Sequence, residues 1–88
     1  MSFLTRLHAI DAAVQAAADE QRALYGLPVR FAPGEARQAL LLCMALAENA
    51  IYLAARAAIQ MRDEPLFQKL NSMEGNLSRM THKVQNPR

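Results

Sequence analysis

Two histidines, one cysteine and a scatter of arginines are the residues with which this 88-residue chain could do chemistry. His8 and His82 lie near opposite ends, and neither has a second histidine or cysteine three or four residues away, the spacing that puts two ligands on one helix face. Cys43 sits between Leu42 and Met44, an apolar setting in which a buried, inert thiol is expected. A single cysteine forms no internal disulfide and suits a reducing compartment. No glycine loop that could cradle phosphate, no GxSxG and no paired-acid motif is present. The sequence therefore assigns no catalytic, cofactor-binding or metal-binding residue, and no cofactor.

Two basic sets give alternatives. After Glu74 the chain holds Arg79, Lys83 and Arg88 and no acid, which could contact nucleic acid. Three charges are a small footprint, though, and the segment has no aromatic ring on which a base could stack. Arg6, Arg22, Arg37 and Arg56 could line an anion site in a small all-α dimeric enzyme, but no further catalytic constellation accompanies them. A net charge of +2 adds little to either reading.

Interaction is the function that remains. Met44, Met61, Met73 and Met80 are a high share for so short a chain, and methionine adapts its shape to irregular partners. A groove lined by Met61, Leu66, Phe67, Leu70, Met73, Leu77 and Met80 would accept an amphipathic helix from another protein. The expectation is a non-enzymatic interaction module of the chaperone, adaptor or inhibitor type.

The elements that must position these residues are helices. The chain is 52% hydrophobic, rich in alanine, and poor in β-branched residues where the pattern is periodic. In the first segment Phe3, Leu7, Ile10, Val14, Ala17, Gln21 and Leu24 alternate by four and three, a heptad seam. Ser2 can cap its start, and Gly26-Leu27-Pro28 reads as a left-handed C-cap with a trailing hydrophobic contact and a stop. Helix 1 is predicted at 3–25. Val29 and Phe31, in the short connection after it, should fold onto the end of a bundle.

Pro33 suits a first helical turn and Glu35 suits its dipole, so helix 2 is predicted at 33–62. Pro65 restarts the chain, with Asp63 or Glu64 as cap, and helix 3 is predicted at 65–83, carrying the seam Leu66, Leu70, Met73, Leu77, Met80 and Val84. Gly75 should cost about 1 kcal/mol there relative to alanine without breaking the helix. The expected architecture is one all-α domain over 1–88, an elongated three-helix bundle.

Helix 2 asks for more than this. From Ala39 to Ile59 it is apolar almost all round, interrupted by Glu48, Asn49 and Arg56. It is long enough to span a bilayer, but each mid-membrane charge costs about 2.5–3.5 kcal/mol against about 0.3–0.6 gained per Leu or Ile, so no membrane span is expected. The N-terminus has no charged leader before a long apolar core, and a cytoplasmic location is the expectation. About thirty helical residues make a rod of about 45 Å, too long for a compact globule of this size, which is about 31 Å across. A homodimer through helix 2 answers both length and apolarity, with Ala47, Glu48, Ala50, Ile51, Tyr52, Ala54, Ala55, Arg56 and Ala58 at its interface. An antiparallel crossing near Tyr52 would bring Glu48 close to Arg56 of the other copy.

Overall fold

The computed structural model describes residues 2–26 and 28–87. Three helices and no strand occur among them: α1 (Phe3–Tyr25), α2 (Glu35–Gln60) and α3 (Glu64–Gln85). The all-α expectation is met. The chain divides into two compact units, 1–36 and 37–88.

The first unit is α1 and the segment that follows it. Ser2 caps the helix, its Oγ accepting the Thr5 N–H at 3.1 Å. At the other end Gly26 has φ +71, a left-handed conformation open to glycine, and its N–H donates to the Arg22 carbonyl at 2.8 Å. Both boundaries agree with those read from the sequence; the contact expected of Leu27 falls outside the described residues. No described residue of α1 is buried. Phe31 is exposed, against the expectation that it folds down, and Val29 is half-buried.

Helix α2 starts at Glu35, two residues later than predicted. Pro33 is not in the first helical turn. Pro33 and Gly34 are instead the centre of a β-turn closed by the Glu35 N–H on the Ala32 carbonyl at 3.0 Å, with Gly34 at φ +87. Proline followed by a positive-φ glycine is the type II arrangement, and it prevents the helix from starting earlier.

The second unit is a hairpin of α2 and α3. Its turn is compact. Arg62 takes φ +60, its N–H reaches the Ile59 carbonyl at 2.9 Å, and the Asp63 N–H reaches the Ala58 carbonyl at 3.0 Å. That pair of bonds is a Schellman motif with arginine where glycine is usual, and it ends α2 at Gln60 rather than at Arg62. Asp63 then caps α3, accepting the Leu66 N–H on Oδ1 at 3.2 Å, with Pro65 in the first turn. Helix α3 runs unbroken through Gly75 and two residues beyond the predicted end.

The three buried residues of the described chain, Met44, Ala55 and Ala58, are all on α2 in this hairpin. With half-buried Leu41, Glu48 and Ile51 they form a row at spacings of three and four. Helix α3 answers with half-buried Phe67, Leu70, Glu74, Leu77, Thr81 and Val84 at the same spacing. Counting outward from the turn, small Ala58 and Ala55 fall opposite large Phe67 and Leu70. Large against small lets the helices approach where a three-residue turn forces them together. Two bonds tie the far end: Arg37 Nη2 donates to the Val84 carbonyl at 3.1 Å, and the Thr81 hydroxyl reaches Glu48 Oε1 at 2.9 Å, with the Leu77 carbonyl of its own helix, at 3.0 Å, as the other acceptor for its one proton.

This seam differs from the predicted one. Leu70, Leu77 and Val84 face α2, but Leu66, Met73 and Met80 do not, and their places are taken by Phe67, Glu74 and Thr81. The apolar stripe of α3 is wider than one partner covers. The helix is turned so that Thr81 reaches Glu48, leaving one edge of the stripe uncovered.

Candidate functional site

That uncovered edge is the candidate site. Met73 and Met80 are 52% and 56% exposed, Leu66 is exposed, and Met61 in the turn is 73% exposed. On α3 the three helical residues recur every seven, each just before an inward residue of the seam. The equivalent row on α2 is Leu40, Ala47 and Ala54, continued by Met61, and all four are exposed. A two-fold rotation about the normal to the plane of an antiparallel pair relates its two helices and keeps the upper side up. Like rows therefore share a face. One face of the hairpin is apolar on both helices, with alanines along α2 and long flexible side chains along α3.

The opposite face is different. Its rows are Ala45, Tyr52 and Ile59 on α2 but Asn71, Ser78 and Gln85 on α3. The hairpin thus has one wholly apolar side and one mixed side. An apolar strip with alanines along α2 can receive the apolar stripe of another helix.

Among the residues proposed from sequence to bind a partner, Met61, Leu66, Met73 and Met80 belong to this face, whereas Phe67, Leu70 and Leu77 belong to the seam beneath it. The rows Leu40, Ala47 and Ala54 were missing from that set. Their signal was the period of seven shared with α3, which the all-round apolarity of α2 hides.

The proposed dimer residues divide in the same way. Ala55 and Ala58, 3% and 2% exposed, are covered within the chain, and Glu48 and Ile51 are half-buried in the seam with them. Ala47, Ala50, Tyr52, Ala54 and Arg56 remain exposed. Arg56 lies over the Tyr52 ring at 5.9 Å, and Glu48 holds Thr81, so both charges have partners in their own chain.

The reactive residues are dispersed. Cys43 is exposed, not buried as its neighbours suggested, because it stands one position round the helix from the inward Met44. His8 and His82 are exposed and belong to different units. No group of three His, Cys, Asp or Glu converges among the described residues. Arg6 and Arg22 are in the first unit, Arg37 and Arg56 in the second, and Arg22 is ion-paired with Asp19. A shallow hollow lies against Ser78, Arg79, His82 and Lys83 on α3, all from one helix, and Arg79 is bonded to Asn76. A second hollow at the turn is lined by Ile59, Arg62, Asp63, Glu64 and Phe67 and combines charges of both signs.

Helix α2 is, by length and composition, apolar enough to cross a membrane, and little of its most apolar stretch is buried in the chain. Glu48 and Arg56 lie within that helix. No protein-family model, no curated protein and no solved structure matches the sequence.

Proposed function

We propose that the protein is a non-catalytic interaction module that self-associates and captures an amphipathic helix of another protein on the apolar face of its α2–α3 hairpin. The observation that carries this reading is the coincidence of two exposed apolar rows on one side of the hairpin, Leu40, Ala47, Ala54 and Met61 from α2 with Leu66, Met73 and Met80 from α3. Both rows run the length of the hairpin with no charge in either. Alanine along α2 admits close approach, and methionine at the edge adjusts to the knobs of the incoming helix.

Burial energetics favour a partner. Covering a Leu or Met side chain fully is worth about 1.5–3 kcal/mol relative to leaving it in water, and these side chains are about half exposed, so their burial offsets part of the cost of ordering a bound helix. The reading places the protein in the cytoplasm, where the exposed Cys43 stays a thiol. Catalysis and nucleic-acid binding are not part of it.

The test is photo-crosslinking in the native cell with the full chain. A photoreactive side chain at Met73 should yield one dominant adduct, and mass spectrometry should place the crosslinked peptide in a segment with apolar residues at three- and four-residue spacing. The same group at Ser78, on the opposite face, should yield little. Equal yields at the two positions, or adducts without a helical apolar pattern, would remove the proposal.

A further inference from the structure

Beyond the hairpin, we infer that α1 is a self-association element, pairing with α1 of a second copy of the chain as a parallel two-stranded coiled coil. Its seam residues Phe3, Leu7, Ile10, Val14, Ala17, Gln21 and Leu24 sustain the four–three alternation over three heptads, the period that keeps one stripe facing a partner helix. The helix is regular from end to end. It begins on the Ser2 cap and stops at Gly26, directly after the last seam layer. No described residue of it is buried, and Phe3, Ile10, Val14 and Leu24 are exposed.

The charges beside the seam select a second copy as the occupant. Arg6 immediately precedes Leu7, and Asp11 immediately follows Ile10, five residues on. In a parallel pair the residue before the first seam position of one heptad meets the partner's residue five places further along. Arg6 therefore meets the partner's Asp11, and symmetry makes the contact twice. The other two such pairs, Ala13 with Ala18 and Glu20 with Tyr25, contain no like charges. Asp11 now accepts only the Gln15 side-chain amide, at 2.9 Å, and is exposed to a second donor.

Gln21 selects the parallel direction. Within the single chain Gln21 and Leu7 are the two half-buried residues of the seam, and Gln21 Oε1 accepts no hydrogen bond. In a parallel pair the same layer of both chains coincides, so Gln21 stands beside the partner's Gln21, and each amide can donate to the other. An antiparallel pair with its seven layers reversed on themselves sets Gln21 against Leu7, which leaves the amide unpaired in an apolar layer. A single polar layer of this kind fixes register and direction at some cost in stability.

The test uses the full chain with Cys43→Ser and one new thiol. With Leu24→Cys, mild oxidation should convert most of the protein to a disulfide-linked dimer, because equivalent seam positions in a parallel pair are within disulfide reach, whereas an antiparallel pair sets them at opposite ends. With Ala12→Cys, on the side away from the seam, it should not. A Leu24→Cys chain that stays monomeric, or an Ala12→Cys chain that links equally well, overturns the arrangement. So does light scattering on the unaltered chain that gives 9.8 kDa, the result expected if α1 packs on its own hairpin. Arg6→Asp and Asp11→Arg should each weaken the dimer about fivefold, and the double swap should restore it. Additive losses would overturn the charge pairing.

Discussion

Adjacent alanines on α2 should respond to the same substitution in opposite ways. Ala55 is 3% exposed and faces Leu70 across the hairpin seam, whereas Ala54 is exposed on the apolar outer face. Replacing alanine with leucine adds three carbons. At Ala55 they must enter the space between α2 and α3 close to a three-residue turn that gives the helices no freedom to separate. Overpacking of this kind costs about 1–3 kcal/mol. At Ala54 they extend from the surface, where leucine is nearly as good a helix former as alanine, and the expected change is within about 0.5 kcal/mol. Thermal unfolding followed by circular dichroism, at one protomer concentration for all variants, measures the difference. For a domain of this size each kcal/mol moves Tm by about 4–8 °C, so with a difference of at least about 0.5 kcal/mol Ala55→Leu should melt at least about 2 °C below Ala54→Leu. Ala58→Leu should behave as Ala55→Leu does, and Ala57→Leu as Ala54→Leu does. Equal losses at Ala54 and Ala55, or a larger loss at Ala54, would mean that the inward row of α2 has been misplaced and that the apolar face built on it does not exist.

Four further variants probe the rest of the hairpin. Arg62→Gly should raise stability by about 0.5–1 kcal/mol, since φ +60 is strained for arginine and free for glycine; a loss in urea unfolding would show that the side chain contributes more than its backbone costs. Gly75→Ala should stabilise α3 by a similar amount, because an added Cβ meets only Arg79 Nη1, at 3.7 Å, and the expected rise in Tm fails only if that contact is worse than its distance implies. Thr81→Val keeps the shape of the side chain and removes the bond to Glu48, and should cost about 1 kcal/mol by chemical denaturation; no change would mean that water serves Glu48 equally well. Joint replacement of Arg79 and Lys83 by alanine should leave any nucleic-acid retention unchanged, and a salt-sensitive shift of RNA or DNA that this variant abolishes would favour the nucleic-acid reading instead.

Much of the fold could be read from the sequence because its signals are local. Ser2, Gly26, Asp63 and Pro65 act through backbone bonds within a few residues, and each does what its type allows at the position it occupies. The two boundary errors of α2 are also local. Gly34 at φ +87 delays the start of α2, and Arg62 at φ +60 advances its end, because a left-handed residue can be glycine or, with a cost, something else. Arginine in that role carries no sequence signal. The face of α3 was harder. Its apolar residues fill two adjacent rows, and periodicity alone cannot say which row a single partner covers. Phe67 with Leu70, or Leu66 with Leu70, satisfies the same spacing.

Polar residues decided between those rows. Reading inward positions from hydrophobicity passes over Glu74 and Thr81, yet both are half-buried, and Thr81 is there because its hydroxyl answers Glu48. Glu48 itself interrupts the most apolar stretch of the chain, which made a charged partner on another copy the natural expectation. The hairpin supplies a neutral one instead. A hydroxyl donates to the carboxylate without bringing a second charge into a half-buried place, so only one ion needs partial desolvation rather than two. Arg56 meets the same constraint differently, resting its guanidinium over Tyr52 one turn away. With Glu48 and Arg56 partnered inside one chain, the row Leu40, Ala47, Ala54 and Met61 on α2 carries no charge, and a partner that covers it need offer none in return.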